Sequence, residues 1–455
     1  MNEQPPSLTN RREFIRTTGR IAAASALAGV ALPHVHAAGS DLLQVALVGA
    51  GGRGSGAADQ ALSTRTGPIK LVAMADVFED RLNNSLNGLK NSHADKVEVP
   101  KDRQFIGFDG YKKAMDCLKP GDIVILTTPP AFRWVQFTYA IQKGLNVFME
   151  KPVTVDGPTS RRMLKLAEES VAKNLKVGVG LMSRHSRPMQ QLWQRIRDGE
   201  IGDVIMLRGY RMHGPAGSAF ATRWPGQPSE LLWQIRNFHS FLWASGGCFS
   251  DFYIHHVDHL CWMKDAWPVK AQALGGRHFR RDCVDQNFDV YSVEYVFADG
   301  ARMIMDGRCI NGCNDIYSSY AHGSKGLAIV AKANDCTPPS MTFKGQNPTR
   351  SNMIWQSTDN SNPYQNEWDE LVSAIREDKP YNEAKRGVEA SLVTSMGRMA
   401  AHTGQEITYN EILESTHEFA PGLDQLTMNS AAPLVGDKDG KYPVPTPGIT
   451  KKREY

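Results

Sequence analysis

The chain has 455 residues, 41% hydrophobic and 22% charged, which is enough for ordinary buried cores in two or three domains. Its formal charge of +4 falls to +2 once residues 1–37, with Arg11, Arg12, Arg16 and Arg20 against Glu3 and Glu13, are set aside. That near balance speaks against a nucleic-acid-binding surface, and beyond the N-terminus no stretch approaches the roughly 18 apolar residues a membrane-spanning helix needs.

At the N-terminus, Asn10-Arg11-Arg12-Glu13-Phe14-Ile15-Arg16 precedes the Ala-rich run Ile21 to Leu32 and then Val35-His36-Ala37, an A-x-A-like cleavage site. This is the order of a twin-arginine export signal. The expectation is a cleaved segment 1–37, passage through the twin-arginine machinery, and a mature protein that is periplasmic or otherwise exported, with no stable membrane insertion. Seven cysteines, at 117, 248, 261, 283, 309, 313 and 336, form an odd set without paired CxxC motifs, so no disulfide framework is expected. Cys309 and Cys313 are the two that could meet after secretion.

From Asp41 short apolar runs alternate with helix-like segments, the rhythm of βαβ units around a parallel sheet. The runs are Leu42 to Val48, Leu71 to Ala75, Ile123 to Leu126, Asn146 to Met149 and Lys176 to Val179. Residues 41–186 therefore read as a Rossmann dinucleotide-binding domain. After about Arg187 longer strands of alternating character take over, and Asp289 to Ala298 and Ala301 to Ile310 flank the hairpin signal Asp299-Gly300. Residues 187–430 read as an α+β substrate domain with a mostly antiparallel open sheet, in which Glu367 to Arg376 and Ala384 to Thr403 are helical. The Pro-, Gly- and charge-rich stretch 431–455 reads as an extended arm.

Gly49-Ala50-Gly51-Gly52-Arg53-Gly54 fits G-x-G-x-x-G directly after the first strand and before the helix-like Ala57 to Ser63. Gly49, Gly51, Gly52 and Gly54, with Arg53, permit a tight turn that brings backbone N–H groups to a pyrophosphate at a helix N-terminus. Asp76 ends the next strand, 22 residues after Gly54. A carboxylate there accepts hydrogen bonds from ribose hydroxyls and repels a 2′-phosphate, so NAD is expected rather than NADP. Thr128 and Pro129 of Thr127-Thr128-Pro129-Pro130, and Glu150 with Lys151, lie at carboxyl ends of later strands, the edge where such folds bind ligands. The bond before Pro152 is a candidate cis peptide.

For chemistry, Lys151 offers an ammonium beside the nicotinamide position, and Asp251 and His255 are four apart, on one face if the segment is a single helix. Oxidation of a carbinol needs a base, a role suited to His255, with Asp251 orienting it and Lys151 polarising the oxygen. Asp251, His255 and His259 also align for a metal, but catalysis or packing accounts for them without one, and no metal is expected. Arg184, His185 and Arg187 are candidates for substrate hydroxyls or for a solvated linker.

The glycine loop with Asp76, Glu150-Lys151-Pro152, the pair Asp251 and His255, and Gly397-Arg398-Met399-Ala400 together resemble the glucose-fructose oxidoreductase, inositol dehydrogenase and MocA-type (Gfo/Idh/MocA) family, from Gln44 to about Leu413. The resemblance implies Lys151, Asp251 and His255 as a catalytic triad at the domain cleft, a carbohydrate substrate and a homo-oligomer. Gln136 departs from it, standing where relatives often carry His. An exported enzyme has no free NAD pool to draw on, so the expected reaction is hydride transfer on a sugar with a tightly bound, internally recycled cofactor. Two alternatives use the same residues or fold: redox-neutral glycoside cleavage through transient oxidation, and a sugar-binding protein without turnover.

Overall fold

Strands whose side chains are apolar on both faces cannot meet solvent on either, and they form the middle of the first sheet. The computed structural model describes residues 41–278, 282–333 and 339–455; the export-signal reading of 1–37, and Cys336, lie outside the described residues. The strands are β1 (Leu43–Val48), β2 (Ile69–Asp76), β3 (Gln104–Ile106), β4 (Ile123–Leu126), β5 (Asn146–Met149) and β6 (Val177–Val179). All pair in parallel in the order β3-β2-β1-β4-β5-β6, so the chain reverses direction across the sheet between β1 and β4 and leaves a crevice at their carboxyl ends. Sequence reading does not contain β3, which is a three-residue, half-exposed edge strand too short to show a period.

The second sheet holds β7 (Val204–His213), β8 (Lys270–Gly276), β9 (Val290–Val296), β10 (Arg302–Cys309), β11 (Ile316–Gly323), β12 (Gly326–Lys332), β13 (Met341–Lys344), β14 (Met353–Gln356) and β15 (Ile407–Thr408). Its order is β14-β13-β12-β11-β7-β10-β9-β8-β15, antiparallel throughout except for the parallel pair β7 and β10. The hairpin at Asp299-Gly300 joins β9 to β10. Its loop is Ala298-Asp299-Gly300, closed by Phe297 N donating to Ala301 O at 2.9 Å, with Gly300 at φ +85°, where glycine has no Cβ to clash. Cys309 is buried, Cys313 is exposed, and both are free thiols.

Two late helices tie the lobes together. Pro363–Arg376 returns to the first sheet, stacking Trp368 on Phe148 of β5 with ring centroids 4.5 Å apart. Ala384–Thr403 is buried along nearly its whole length, Arg398 and His402 included, so their polar groups must find partners inside. Its first turns, with Ala384, Val388 and Ala390, pack among first-sheet side chains, and its later turns, with Leu392, Val393, Met396 and Ala400, pack under β8 and β9. Near the cleft, Phe132 of the first lobe meets Trp243 of the second edge to face.

The arm 431–455 contains no helix or strand, and it is anchored by what it buries. Tyr442 packs on Trp233 and Phe241, and Glu454 enters the interior. There Glu454 accepts from Arg398 Nε and Nη2 at 2.9 Å each and lies 2.6 Å from His402 Nδ1. Burial alone would raise the Glu454 pKa, but Arg398 and His402 hold it at about 2. Arg398 is fully buried, and its Nη1 also donates to Ser250 Oγ at 2.6 Å and to Gly246 O, so the arm braces the segment that leads to Asp251. Removing one partner of a buried ion pair typically costs about 3–5 kcal/mol, because the other charge is left uncompensated. Glu454→Ala should therefore lower the urea unfolding midpoint by that order of free energy, whereas an unchanged midpoint would mean that this pair contributes nothing to stability.

Candidate active site

The cofactor cradle is built by the close approach of β1 to β4. A Cβ on Gly49, at φ +95°, would stand 2.6 Å from Thr128 N, and one on Gly54 would stand 2.0 Å from Gly49 O and 2.6 Å from Thr127 Oγ1. These two glycines let the turn fold on itself. At Gly51 and Gly52 a Cβ would meet nothing within 4 Å; both line a cavity of about 1020 Å³ at the N-terminus of the helix Gly52–Leu62. Open backbone at a positive helix end is the surface a pyrophosphate needs, so these residues fit a dinucleotide.

Asp76 holds the turn from below: Oδ2 accepts from Ala50 N at 2.6 Å and Oδ1 from Phe78 N at 2.9 Å. Burial raises its pKa, and those two N–H groups pull against the rise. Thr127 Oγ1 donates to Gly49 O at 2.6 Å, a contact sequence reading did not name. Thr128 Oγ1 donates to Gln136 Oε1 at 2.8 Å, and Pro129 stands beside them on the cavity wall. Arg53 does not reach freely into the cavity. Its Nε donates to Glu150 Oε1 at 2.6 Å, and its guanidinium lies 5.0 Å from the Tyr364 ring.

Glu150 thus connects the cradle to Lys151, whose bond to Pro152 is cis. Lys151 Nζ crosses between lobes, donating to the main-chain oxygen of Asp251 at 2.6 Å and lying 3.5 Å from Asp251 Oδ2. Asp251 is in the helix Gly247–Phe252 and His255 in the helix Ile254–Lys264, so the single helix face expected for the pair is replaced by two helices joined at Tyr253. Burial would push the Asp251 pKa up, but Lys151, His239 and His255 hold it well below the usual carboxylate range. Lys151, Asp251 and His255 all line the cavity that the glycine loop opens. Arg211 and His239 line it too, and neither was named from sequence, because each sits in a segment with no motif.

The other candidates go elsewhere. Arg184 grips Asp258 at 2.8 and 2.9 Å, and His259 Nε2 is 2.7 Å from Ser319 Oγ. Among the described residues no group of three or more His, Cys, Asp or Glu is placed to hold a metal ion. Arg187 Nη1 and His185 Nδ1 each lie 2.7 Å from Glu370, and His185 Nε2 is 3.2 Å from Glu383. Burial would lower the His185 pKa, yet Glu383 and Glu370 raise it from 6.5 to about 10. These side chains are structural ion pairs outside the cavity lining.

No family model matches the chain. It is similar to inositol 2-dehydrogenase of Corynebacterium glutamicum, 25% identical over 167 residues, 35% of this chain and 48% of that protein. It is also similar to scyllo-inositol 2-dehydrogenase (NAD(+)) of Bacillus subtilis, 27% identical over 233 residues, 50% of this chain and 56% of that protein. The chain spans about half the length of these curated relatives. Among solved structures, the aldose-aldose oxidoreductase from Caulobacter crescentus complexed with glycerol matches with a TM-score of 0.61 at 15% identity, over 80% of this chain and 99% of that one. The scyllo-inositol dehydrogenase from Lactobacillus casei with bound NAD(H) and scyllo-inositol matches at 0.59 and 19%, over 81% and 100%. The Rossmann lobe joined to a mixed, mostly antiparallel sheet is the fold of these dehydrogenases, and relatives and neighbours together support the Gfo/Idh/MocA resemblance.

Two measurements test the site. Gly51→Ala should leave the thermal melt near the parent's while reducing bound dinucleotide, and Gly54→Ala, which forces Cβ into Gly49 O, should lower both; equal melts for the two variants would contradict the geometry. For His185, a folded pKa above the unfolded one gives stability that is complete below the unfolded value and is lost as pH rises through the folded value. The stability difference between parent and His185→Gln should therefore be largest below about pH 6.5 and shrink as pH rises toward about 10, read from denaturation midpoints across that range.

Proposed function

We propose that this chain is an NAD-dependent oxidoreductase that oxidises a carbinol of a sugar or sugar derivative, with Lys151, Asp251 and His255 as its reacting groups. The observation that carries the reading is the contact of Lys151 Nζ, from the first lobe, with Asp251, from the second, on the wall of the cavity the glycine loop opens. The names of the relatives and structural neighbours, inositol dehydrogenases and an aldose-aldose oxidoreductase, support the substrate class.

When bound, the nicotinamide supplies hydride acceptance. The chain's own residues do the rest. Gly51 and Gly52 would give backbone access to a pyrophosphate, and Asp76 would accept from the adenosine ribose hydroxyls. His255, of the residue type that titrates near neutrality, takes the hydroxyl proton, and Lys151 stabilises the negative charge developing on that oxygen. The ionised Asp251 holds the Lys151 side chain aimed across the cleft.

The export reading of 1–37 makes the protein periplasmic or otherwise exported, delivered folded by the twin-arginine machinery; a nicotinamide held there would have to stay bound and have its oxidation state restored within the protein, by a second carbonyl compound or by return of the hydride to the same substrate. Apolar residues beyond the first sheet support retention, since Ile235, Phe238, Leu423 and Leu426 line the same cavity. A homo-oligomer is proposed through the open face of the second sheet, where Leu274 and Ile316 are exposed.

Denaturing the purified protein and analysing the supernatant should release one NAD per chain, and incubating the native protein with myo-inositol or an aldose should reduce that bound NAD in the parent and not in Lys151→Ala. NADP in the supernatant would overturn the reading of Asp76, and an equal response from Lys151→Ala would remove Lys151 from the reaction.

A further inference from the structure

Asp251 has a partner that the reading above leaves without a role. His239, in the short turn Phe238–Ser240, places Nε2 3.2 Å from Asp251 Oδ2. Its other nitrogen, Nδ1, faces Ser218, whose main-chain N–H donates to it at 3.3 Å and whose hydroxyl lies 3.0 Å away. A main-chain N–H can only donate, so Nδ1 accepts, which puts a ring proton on Nε2, 3.2 Å from the carboxylate oxygen. The ring is held on its faces as well. It stacks on Phe252 with centroids 5.0 Å apart, lies 3.8 Å from the Phe238 ring, and would be struck at 2.9 Å by a Cβ on Gly217, whose φ is +55°.

We propose that His239 is a positioning residue of the reacting centre: a neutral imidazole, its tautomer set by the Gly217-Ser218 turn, that keeps Asp251 ionised and turned toward Lys151. The proposal rests on the reading of Lys151, Asp251 and His255 as the reacting groups.

Geometry decides why His239 matters more than its distance from the chemistry suggests. A buried carboxylate must find donors or take up a proton. The charged and titratable groups around Asp251 are Lys151 and Arg133 from the first lobe, His255 from the next helix, Arg211 from β7, and His239. Arg133 spends its guanidinium on Leu126 O and Thr128 O, and Arg211 Nη1 donates to Phe252 O. Lys151 gives its short bond to the Asp251 main-chain oxygen and stands 3.5 Å from Oδ2, so the closer donor to the carboxylate, at 3.2 Å, is His239. Without it Asp251 would keep a charge attraction to Lys151 but lose its nearest side-chain polar neighbour, and its pKa would rise.

The test compares His239→Phe with His239→Gln, whose side-chain amide can place an N–H near the Nε2 position. Reduction of the bound dinucleotide is followed with myo-inositol, scyllo-inositol and D-glucose as probes across pH, and histidine-ring nitrogen NMR on the parent reads the tautomer. A hydrogen bond to a charged group carries enough free energy for His239→Phe to lose about tenfold or more in rate. Its acid limb should move to higher pH, His239→Gln should recover most of the loss, and dinucleotide content should be unchanged in both. The parent ring should be neutral with its proton on Nε2. A proton on Nδ1, or a pH profile in His239→Phe identical to the parent's while Asp251→Asn is inactive, would overturn the proposal. Full activity in Asp251→Asn and Lys151→Ala would instead sink the reading of the centre, and if no probe is oxidised the ring tautomer still decides.

Discussion

A carboxylate buried at the junction of two lobes constrains both of them. Asp251 is 5% exposed, and an unpaired charge in that position would be expelled by protonation or by movement of the helix that carries it. Lys151 answers from the far side of the cleft, so the end of β5 and the start of the helix Gly247–Phe252 must keep a fixed relation. The apolar contacts between lobes, Phe132 on Trp243 and the splint of Ala384–Thr403, supply the attraction. Hydrophobic contact is non-directional, whereas the ion pair demands one geometry. Burial therefore holds the lobes together, and charge selects the register in which they meet.

The same division recurs away from the cavity. Arg398 runs through the second lobe with no exposure, and its charge is met by Glu454, which arrives from the last residues of the described chain. Arg184 meets Asp258, and His185 meets Glu370 and Glu383. In each case the partner lies far along the sequence, so each pair ties one late segment to an earlier one. Arg398 also donates to Ser250 and Gly246, and through them the arm's anchor reaches the residue before Asp251. The cradle has a parallel link, since Arg53 at the glycine turn holds Glu150, which precedes Lys151.

What could be read from sequence is what local chemistry encodes. The glycine turn, Asp76, the strand β5 ending in Glu150-Lys151-Pro152, the Asp299-Gly300 hairpin and the helix Ala384–Thr403 each announce themselves within a few residues, and each lies where its local pattern puts it. The misses share a different cause. His239 and Ser218 sit outside the strands and α-helices of the connection between β7 and the helix Gly247–Phe252, where no period exists to mark them, and they become meaningful only when folding sets them against Asp251. Glu454 lies in a stretch whose composition reads as an extended arm, and only the position of Arg398 explains its burial. Asp251 and His255 were placed on one helix by their spacing, but spacing says nothing about a break at Tyr253. Arg184, His185 and Arg187 follow β6 at the ligand-binding edge, yet nearby carboxylates claim them first.

Asp76 shows how one residue can serve the fold and the ligand together. A carboxylate has about four lone-pair positions, and Ala50 N and Phe78 N occupy two, which leaves capacity for ribose hydroxyls. Arg81 lines the same end of the cavity and by charge alone would welcome a phosphate. Its guanidinium, however, donates to the Arg236 main-chain oxygen and lies 5.0 Å from the Phe78 ring, while Arg236 is spent on Asp80. The carboxylate fixed under the glycine turn thus keeps its place in the cavity wall, while the guanidinium is turned toward the second lobe. Moving Asp76 to accommodate a 2′-phosphate would break the two hydrogen bonds that brace the cradle, so the proposed preference for an unphosphorylated ribose would be tied to the integrity of the turn itself.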